Sequence, residues 1–527
     1  YEKARRVFNA PHFVDLLLEQ EKSRVDVQAT ASFQQRMLGE VRTTLDLDLN
    51  RFVERSVTER LASLRAQNVR DAAAVVLDNR TGEVLALVGS ENYFAPGSGM
   101  VNGVTQPRSA GSTIKPITYL LAMERGDTPA TIVPDVPTEF PTPTGPYRPE
   151  NYHRHCQGPA RYREALACSL NIPAVKVLQS LGGAAILQRR LQAWGVTTLP
   201  KEPDEYGLGL TIGNAEVRLL ELANLYATIA RMGEWRPYRL LAGADSDARA
   251  NGGGRPVSEG EVAAPGATRA DLCWLIADIL SDNAARTPSF GANSALRFNF
   301  PVACKTGTST DFRDNWAMGY TPEFTVGVWV GNFSGAPMRE VSGVTGAAPI
   351  MHDVMEHLHR RFGTSWFERP ASVAEHRIHP LTGHVLSVPR ADAISEKFIQ
   401  GHLPKAESAD DYDAAGLVKL RAEYSEWAAS VDNQLRDRVV LEDGGRLHLV
   451  SPQPGSTFLL DPDVPSSGLV PLVANGSGRL IWESPTLMMR DRAGRTFAVA
   501  VEGRHELTAR DPESGETVKT WVVVRAL

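Results

Sequence analysis

Two blocks of β pattern stand far apart in this chain, with helical pattern between them and after them. Residues 72–77 and 84–88 are apolar runs joined by Asn79-Arg80-Thr81-Gly82, a turn sequence, and together predict a hairpin. Helical periodicity then runs through 113–125, 161–181, 216–232 and 271–282. From Phe298 the pattern returns to β over 301–305, 316–320 and 324–330. In the last run Val326, Val328 and Val330 alternate with other residues, as a strand with one buried face does. Residues 348–362 are helical again. Strands, helices, strands and a helix in that order fit an α+β, three-layer domain.

The flanks differ in character. Residues 1–40 read as a short helix and linker. At 50–66, Phe52, Val57, Leu61 and Leu64 recur at near-helical spacing. Beyond Pro370 comes a connector, 370–440, with an acidic stretch at 406–415 and a predicted helix at 418–431. From 446 to the end there are seven short β runs, at 447–450, 458–460, 470–473, 480–482, 497–501, 506–509 and 520–524. Turns such as Gln453-Pro454-Gly455 separate them, which predicts a small β-sandwich over 441–527. A length of 527 residues agrees with several domains.

Charge and composition exclude some function classes. A net charge of −6 offers no basic surface for nucleic acid. No apolar run is long enough to span a bilayer, and the first ten residues are not a signal peptide. The chain starts with Tyr1 and reads as a processed or truncated piece of something longer, so any membrane anchor is expected outside it. Cys156, Cys168, Cys273 and Cys304 lack metal-ligand spacing; they read as buried small hydrophobes, with a Cys156–Cys168 disulfide as the alternative.

Three short motifs carry chemistry. In Ser112-Thr113-Ile114-Lys115 the hydroxyl and amine are three apart, so a helix start puts them on one face. A partly desolvated amine takes the serine proton, and the helix N-terminus favours the negative charge that develops. In Ser169-Leu170-Asn171 the hydroxyl is suited to relay a proton between Lys115 and a leaving group. The Asn171 amide is suited to hold the Lys115 side chain and a substrate carbonyl. In Lys305-Thr306-Gly307-Thr308-Ser309, at the end of a β run, Gly307 is expected to let substrate approach the strand edge. Lys305, Thr306 and Thr308 supply charge and hydroxyls for a substrate carboxylate. Each motif alone is weak evidence; their order and spacing in one domain are not.

With these residues in place, the chain resembles the transpeptidase region of class A penicillin-binding proteins, most closely those of the 1C type. The resemblance extends to Thr43-Thr44-Leu45-Asp46, Thr81-Gly82-Glu83-Val84, Gly207-Leu208-Gly209-Leu210, Leu220-Glu221-Leu222-Ala223-Asn224 and Arg313-Asp314-Asn315-Trp316. It also takes in Asn9-Ala10-Pro11-His12, which is similar to the segment following the family's glycosyltransferase domain, and the C-terminal β domain. It implies a transpeptidase domain over 41–369, with an antiparallel sheet covered by helices on both faces. The glycosyltransferase domain and anchor would be missing from this chain.

By that resemblance Ser112 attacks the D-Ala-D-Ala bond of a peptidoglycan stem peptide. Lys115 is general base, Ser169 relays the proton, and the N–H groups of Ser112 and Thr308 form the oxyanion hole. An amine acceptor completes a cross-link, and β-lactam antibiotics acylate the same serine. No cofactor and no metal are implied. The expected location is the periplasmic side of the bacterial inner membrane, with other cell-wall synthesis proteins as possible partners of the C-terminal domain. Cys304 stands where the superfamily often has Gly; it reads as a buried strand residue, or as a reactive thiol if exposed.

Rival readings use the same nucleophile. A D,D-carboxypeptidase or β-lactamase would send water to the acyl-enzyme, although no Glu-x-x-x-Asn segment of class A β-lactamase type stands between the second and third motifs. A sensor or scaffold would acylate without turnover. His153 and His155 read as loop residues, Trp482 and Trp521 as sandwich core, and Asp410-Asp411-Tyr412-Asp413 as a solvated linker.

Overall fold

The computed structural model describes residues 8–24, 41–142, 145–242, 268–442, 447, 449–452, 454–460, 468–474, 480–492, 495–512 and 515–526. The predicted turn at Gln453-Pro454-Gly455 and the run at 447–450 fall partly outside them. The expected linker at 25–40 lies outside them.

The first elements are α1 (Pro11–Arg24), α2 (Leu47–Leu64), β1 (Asp71–Asp78) and β2 (Val84–Val88). Asp46 caps α2 by accepting the Leu49 N–H at 3.1 Å, an interaction worth about 1 kcal/mol. Leu49, Val53, Val57, Leu61 and Leu64 form its buried stripe, so Val53, not the expected Phe52, takes the inner position. The helices that follow include α3 (Lys115–Glu124), α4 (Tyr162–Ala167), α5 (Asn171–Ser180), α6 (Leu219–Ala230), α7 (Ala270–Ser281) and α8 (Asn283–Phe290). Then come β3 (Ala303–Thr308), β4 (Asp314–Tyr320), β5 (Phe324–Gly331) and α9 (Ala347–Phe362).

These five strands make one antiparallel sheet in the order β2-β1-β5-β4-β3. The hairpin near residue 80 thus pairs with strands more than 200 residues later, Asp71 lying opposite Gly331. Side chains alternate across β1. Ala72, Ala74 and Val76 join a core with α2 and α9, while Ala73, Val75 and Leu77 join a second core with the central helices. The result is helix, sheet, helix in three layers.

One expectation for β5 changes. Every residue from Phe324 to Gly331 is buried, so both faces are covered. Val326, Val328 and Val330 face α2 and α9. On the other face, a Cβ on Gly327 would lie 3.0 Å from Leu219 and 3.4 Å from Ala223, so its absence lets α6 settle on the sheet.

Residues 370–442 are not a featureless connector. They hold an antiparallel pair, β6 (Val373–Ile378) with β7 (Ile394–Ile399), and a parallel pair, β8 (Val418–Leu420) with β9 (Val439–Leu441). The helix predicted at 418–431 shrinks to Ser425–Ala429, because Val418 and Leu420 pair with β9 and Trp427 is buried against Val136 and Tyr424. The acidic Asp411 is not simply solvated: its carboxylate holds His384 Nδ1 at 2.9 Å.

The C-terminal strands are β10 (Leu449–Ser451), β11 (Ser456–Leu460), β12 (Leu469–Ala474), β13 (Ile481–Glu483), β14 (Met489–Arg492), β15 (Arg495–Val499), β16 (Gly503–Arg510) and β17 (Thr517–Ala526). They form two sheets, β10-β12-β15-β14 and β11-β17-β16-β13, enclosing a core with Val470, Leu507, Val522 and Trp482. β14 was not foreseen: Arg490, Asp491 and Arg492 are exposed and show no alternation. Trp521 is only partly buried and stacks beneath the Arg504 guanidinium at 4.0 Å.

Candidate active site

The three motifs meet at the end of β3. Ser112 lies in a tight turn, Gly111–Ile114, that runs directly into α3, and Pro116 falls in the first turn of that helix, where its missing N–H costs nothing. The Tyr226 hydroxyl on α6 holds this turn from behind, donating to Thr113 O at 2.6 Å.

Glycine allows the approach. Gly111 has φ +53°, and a Cβ there would stand 2.8 Å from the Thr308 nitrogen. A Cβ on Gly213 would come within 2.1 Å of the Gly111 nitrogen. A Cβ on Gly307 would meet Ala110 O at 2.8 Å and Thr113 Cγ2 at 2.9 Å. That last space, expected to admit substrate, is therefore filled by the nucleophile turn itself. Ser112 is partly exposed between the two backbones.

The second motif breaks the helical run read at 161–181. Cys168 ends α4, Ser169 takes φ +60°, and α5 starts at Asn171. A left-handed serine costs on the order of 1–3 kcal/mol, and strain of this kind concentrates at functional sites. It turns both Ser169 oxygens toward the lysines. Lys115 Nζ donates to Ser169 O at 2.6 Å and to Asn171 Oδ1 at 2.6 Å, with Ser169 Oγ at 3.5 Å. Lys305 Nζ donates to Ser169 Oγ at 2.7 Å and to Thr306 O at 2.9 Å.

Both amines are buried, Lys115 at 0% and Lys305 at 3% exposure. Burial holds Lys115 well below the ordinary lysine range, the nearby Lys305 charge lowers it further, and Asp135 opposes the shift. Burial, followed by the charge of Arg286, brings Lys305 down to about 7. A neutral amine has two N–H donors, which matches the two short contacts of Lys115 and leaves its lone pair for a proton.

The remaining expected residues divide. Thr306 is buried, and Thr308 Oγ1 accepts the Gly343 N–H at 3.0 Å. Ser309 is turned inward: its hydroxyl donates to Asp314 Oδ2 at 3.2 Å and accepts the Asp314 N–H at 2.8 Å. Asn171 Nδ2 donates to Glu150 O at 2.7 Å, which leaves one amide hydrogen for a ligand.

Sequence reasoning missed Asn151, Asp135 and Arg286. Asn151 Oδ1 accepts the Asn171 N–H at 2.8 Å while its Nδ2 donates to Asp135 Oδ1 at 2.7 Å, so this pair fixes the second motif from below. Arg286, 2% exposed on α8, donates through Nε to Asp282 O at 3.3 Å. None of the three stands in a recognisable motif.

All four cysteines are free, so the Cys156–Cys168 pairing is not formed. Cys168 is buried and donates to Ala285 O at 3.1 Å, whereas Cys156 packs near Trp427. Cys304 is 4% exposed on β3 and burial pushes its thiol pKa up, so it is a buried strand residue and not an exposed thiol. His155 Nδ1 contacts Asp432 at 2.9 Å. Among the described residues no cluster of three metal-ligating side chains occurs.

A profile described as the penicillin-binding protein transpeptidase domain matches residues 72–356, more than half of the chain. The chain belongs to the penicillin-binding protein transpeptidase family. This makes it a serine acyltransferase or peptidase in kind. Penicillin-binding protein 1C of Escherichia coli K12 is 32% identical over 334 residues, covering 62% of this chain and 40% of the relative. Penicillin-binding protein 1A of Aquifex aeolicus is 29% identical over 364 residues, 68% and 48% respectively. The chain thus spans less than half the length of these relatives. Penicillin-binding protein 1A from Haemophilus influenzae shares the fold with a TM-score of 0.60 at 19% identity, over 76% of this chain and 78% of that one. The PonA1 protein of Mycobacterium tuberculosis, solved with penicillin V, does so with 0.55 at 21%, over 72% and 98%. No helix among the described residues is long and apolar enough to cross a membrane.

Proposed function

We propose that this chain is a peptidoglycan D,D-transpeptidase. It forms an acyl-enzyme on Ser112 from stem peptides ending in D-Ala-D-Ala and transfers the acyl group to an amine; β-lactams acylate the same serine. The observation that carries this reading is the meeting on Ser169 of two buried lysines, Lys305 from β3 and Lys115 from one turn beyond Ser112.

Ser112 Oγ attacks the carbonyl of the penultimate D-alanine. Neutral Lys115 takes its proton, a step of the kind worth about 10²–10⁴ in rate. The N–H groups of Ser112 and Thr308, brought together by Gly111, receive the oxyanion; one such donor is worth about 2.7–4 kcal/mol. The carbon–nitrogen bond breaks, and the proton passes from Lys115 through Ser169 to the departing D-alanine. An amine acceptor then attacks the ester, and the steps run in reverse to free Ser112. Lys305, with Thr306 and Thr308, attracts the carboxylate of the terminal D-alanine or of a β-lactam. Asn171 orients Lys115 and offers its remaining amide hydrogen to a substrate carbonyl.

The relatives named as penicillin-binding proteins, and the PonA1 structure with penicillin V, support the same reading. We place the domain at 41–369, followed by 370–440 and a sandwich at 441–527 that is suited to contact other cell-wall synthesis proteins. The site is proposed to face the periplasm. D-alanine release from a pentapeptide substrate tests the reading, measured with and without an amine acceptor. Cross-linked product that requires Ser112 supports transfer. Release with water as the sole acceptor, whatever amine is added, replaces it with a D,D-carboxypeptidase.

A further inference from the structure

The match to the transpeptidase family ends at residue 356, yet residues 418–442 reach back to the second motif. Val418, Tyr424, Trp427 and Val439 share one core with Val136, the neighbour of Asp135. Trp427 is 1% exposed. Gly158 makes room for its ring: a Cβ there would lie 2.3 Å from Trp427 Cζ2, and its φ of +80° also favours glycine.

Cys156 is gripped at both polar groups of its backbone. Trp427 Nε1 donates to Cys156 O at 3.1 Å, and the Cys156 N–H donates to Asp432 Oδ2 at 2.9 Å. His155 Nδ1 donates to Asp432 Oδ1 at 2.9 Å. The bonds from Cys156 and His155 hold the Asp432 carboxyl below its ordinary range, so it is ionised and accepts both. The grip is itself stiff. The Asp432 N–H donates to Ser430 Oγ at 3.2 Å, and that hydroxyl donates to Trp427 O at 2.8 Å. A further tie joins Glu423 to Lys176 on α5 at 3.7 Å. The residues flanking Cys156 pass this hold to the site. His155 O accepts from Asn151 Nδ2 at 2.9 Å, and the Gln157 N–H donates to Asp135 Oδ2 at 2.7 Å. Asn151 is thereby fixed with Oδ1 toward the Asn171 N–H, and Asn171 Oδ1 receives Lys115. An unbroken run of hydrogen-bonded residues joins Asp432 to the Lys115 amine.

We infer that Asp432 and Trp427, which lie outside residues 72–356, are positioning residues for the reaction at Ser112: they hold the general base Lys115 in place through Cys156, Asn151 and Asn171. The inference rests on the acyl-enzyme reading. A reacting group displaced by about 1 Å loses about 10² in rate, so a slack loop at 151–157 slows proton transfer. Lys305 on β3 makes its contacts with Ser169 and Thr306 and is held independently of Asp432.

The test is rapid-quench acylation by benzylpenicillin, followed by intact mass, which separates the binding constant from the rate of the chemical step. Asp432→Ala is expected to slow the chemical step about tenfold. Its binding constant should stay within about twofold, and every chain should still gain one adduct. Asp432→Asn, whose Oδ1 still accepts the Cys156 N–H, should regain most of the rate. Trp427→Phe keeps a ring and removes only the N–H; it should slow the step about two- to tenfold. Val431→Ser, in the same turn but 83% exposed, should leave the rate unchanged. A chemical step within twofold of the unaltered chain in both Asp432→Ala and Trp427→Phe overturns the inference. A loss confined to adduct yield or to the binding constant overturns it too, because the segment then supports only folding or substrate binding. Where Asp432→Ala yields no folded chain, the milder Trp427→Phe decides. None of these results touches the acyl-enzyme reading, which fails if the unaltered chain gains no adduct, and the inference fails with it.

Discussion

Ser169 is where two amines that would repel each other as cations share one side chain. In the proposed chemistry Lys115 must be neutral and Lys305 charged. Raising the pH through about 7 discharges Lys305 in the free protein, so acylation by a carboxylate-bearing β-lactam is expected to fall on that side. Lys305→Arg keeps a cation at every working pH and should move the fall to higher pH. A pH profile of fluorescent-penicillin acylation checks this; an alkaline limb that Lys305→Arg leaves in place contradicts the role. At this scale the sequence showed the motif residues but not their supports. Ser-x-x-Lys and Lys-Thr-Gly are local strings, whereas Asn151 acts through Asn171 twenty residues on. Gly307 was legible as important, yet its reason, contact with Ala110 and Thr113, is a tertiary one.

Among elements, the least anticipated join is that of β7 to the helices behind the site. Arg163 on α4 binds Glu396 at 2.6 Å, Asp278 at 2.7 Å and Asp282 at 3.2 Å, and the Glu396 side chain is fully buried. Removing Arg163 leaves the buried Glu396 with only the longer 3.5 Å ion-pair contact of Arg161 among the described residues. Arg163→Ala is therefore expected to lose about 3–5 kcal/mol of stability, read from chemical unfolding followed by tryptophan fluorescence. The joint change Arg163→Met with Glu396→Leu should lose less than Arg163→Ala alone. If the joint variant loses more, packing and not charge is what the network supplies. Helices with a clear stripe, such as α2 and α9, were legible because periodicity survives any context. The helix predicted at 418–431 failed because β8 pairs with a strand nineteen residues beyond it, a partner no local window contains.

For the whole molecule, the order of β and helical blocks fixed the layering of the catalytic domain before any contact was known. The sandwich was legible from the rhythm of its strands and turns, but not its pairing: β11 lies parallel to β17, the last strand. The sandwich has its own core. A cleft of about 1430 Å³ lies between it and the catalytic domain, lined by Arg148 and Lys176 on one side and by Trp482 and Thr496 on the other. Because the Glu442 N–H donates to Leu420 O at 2.8 Å, a chain ended after Glu442 keeps the β8–β9 pair whole. It is expected to retain Ser112 acylation within about twofold, since the sandwich has a core of its own and supplies none of the residues that hold Lys115 and Lys305. A tenfold loss in the same assay would make the sandwich part of the site.

The central claim is that Ser112, activated by Lys115 beside Ser169 and Lys305, is the group that becomes acylated. Intact-mass spectrometry after exposure to a fluorescent penicillin tests it directly. The unaltered chain should gain one stable adduct, and peptide mapping should place it on Ser112. Ser112→Ala should gain none. An adduct of equal yield on Ser112→Ala would contradict the account.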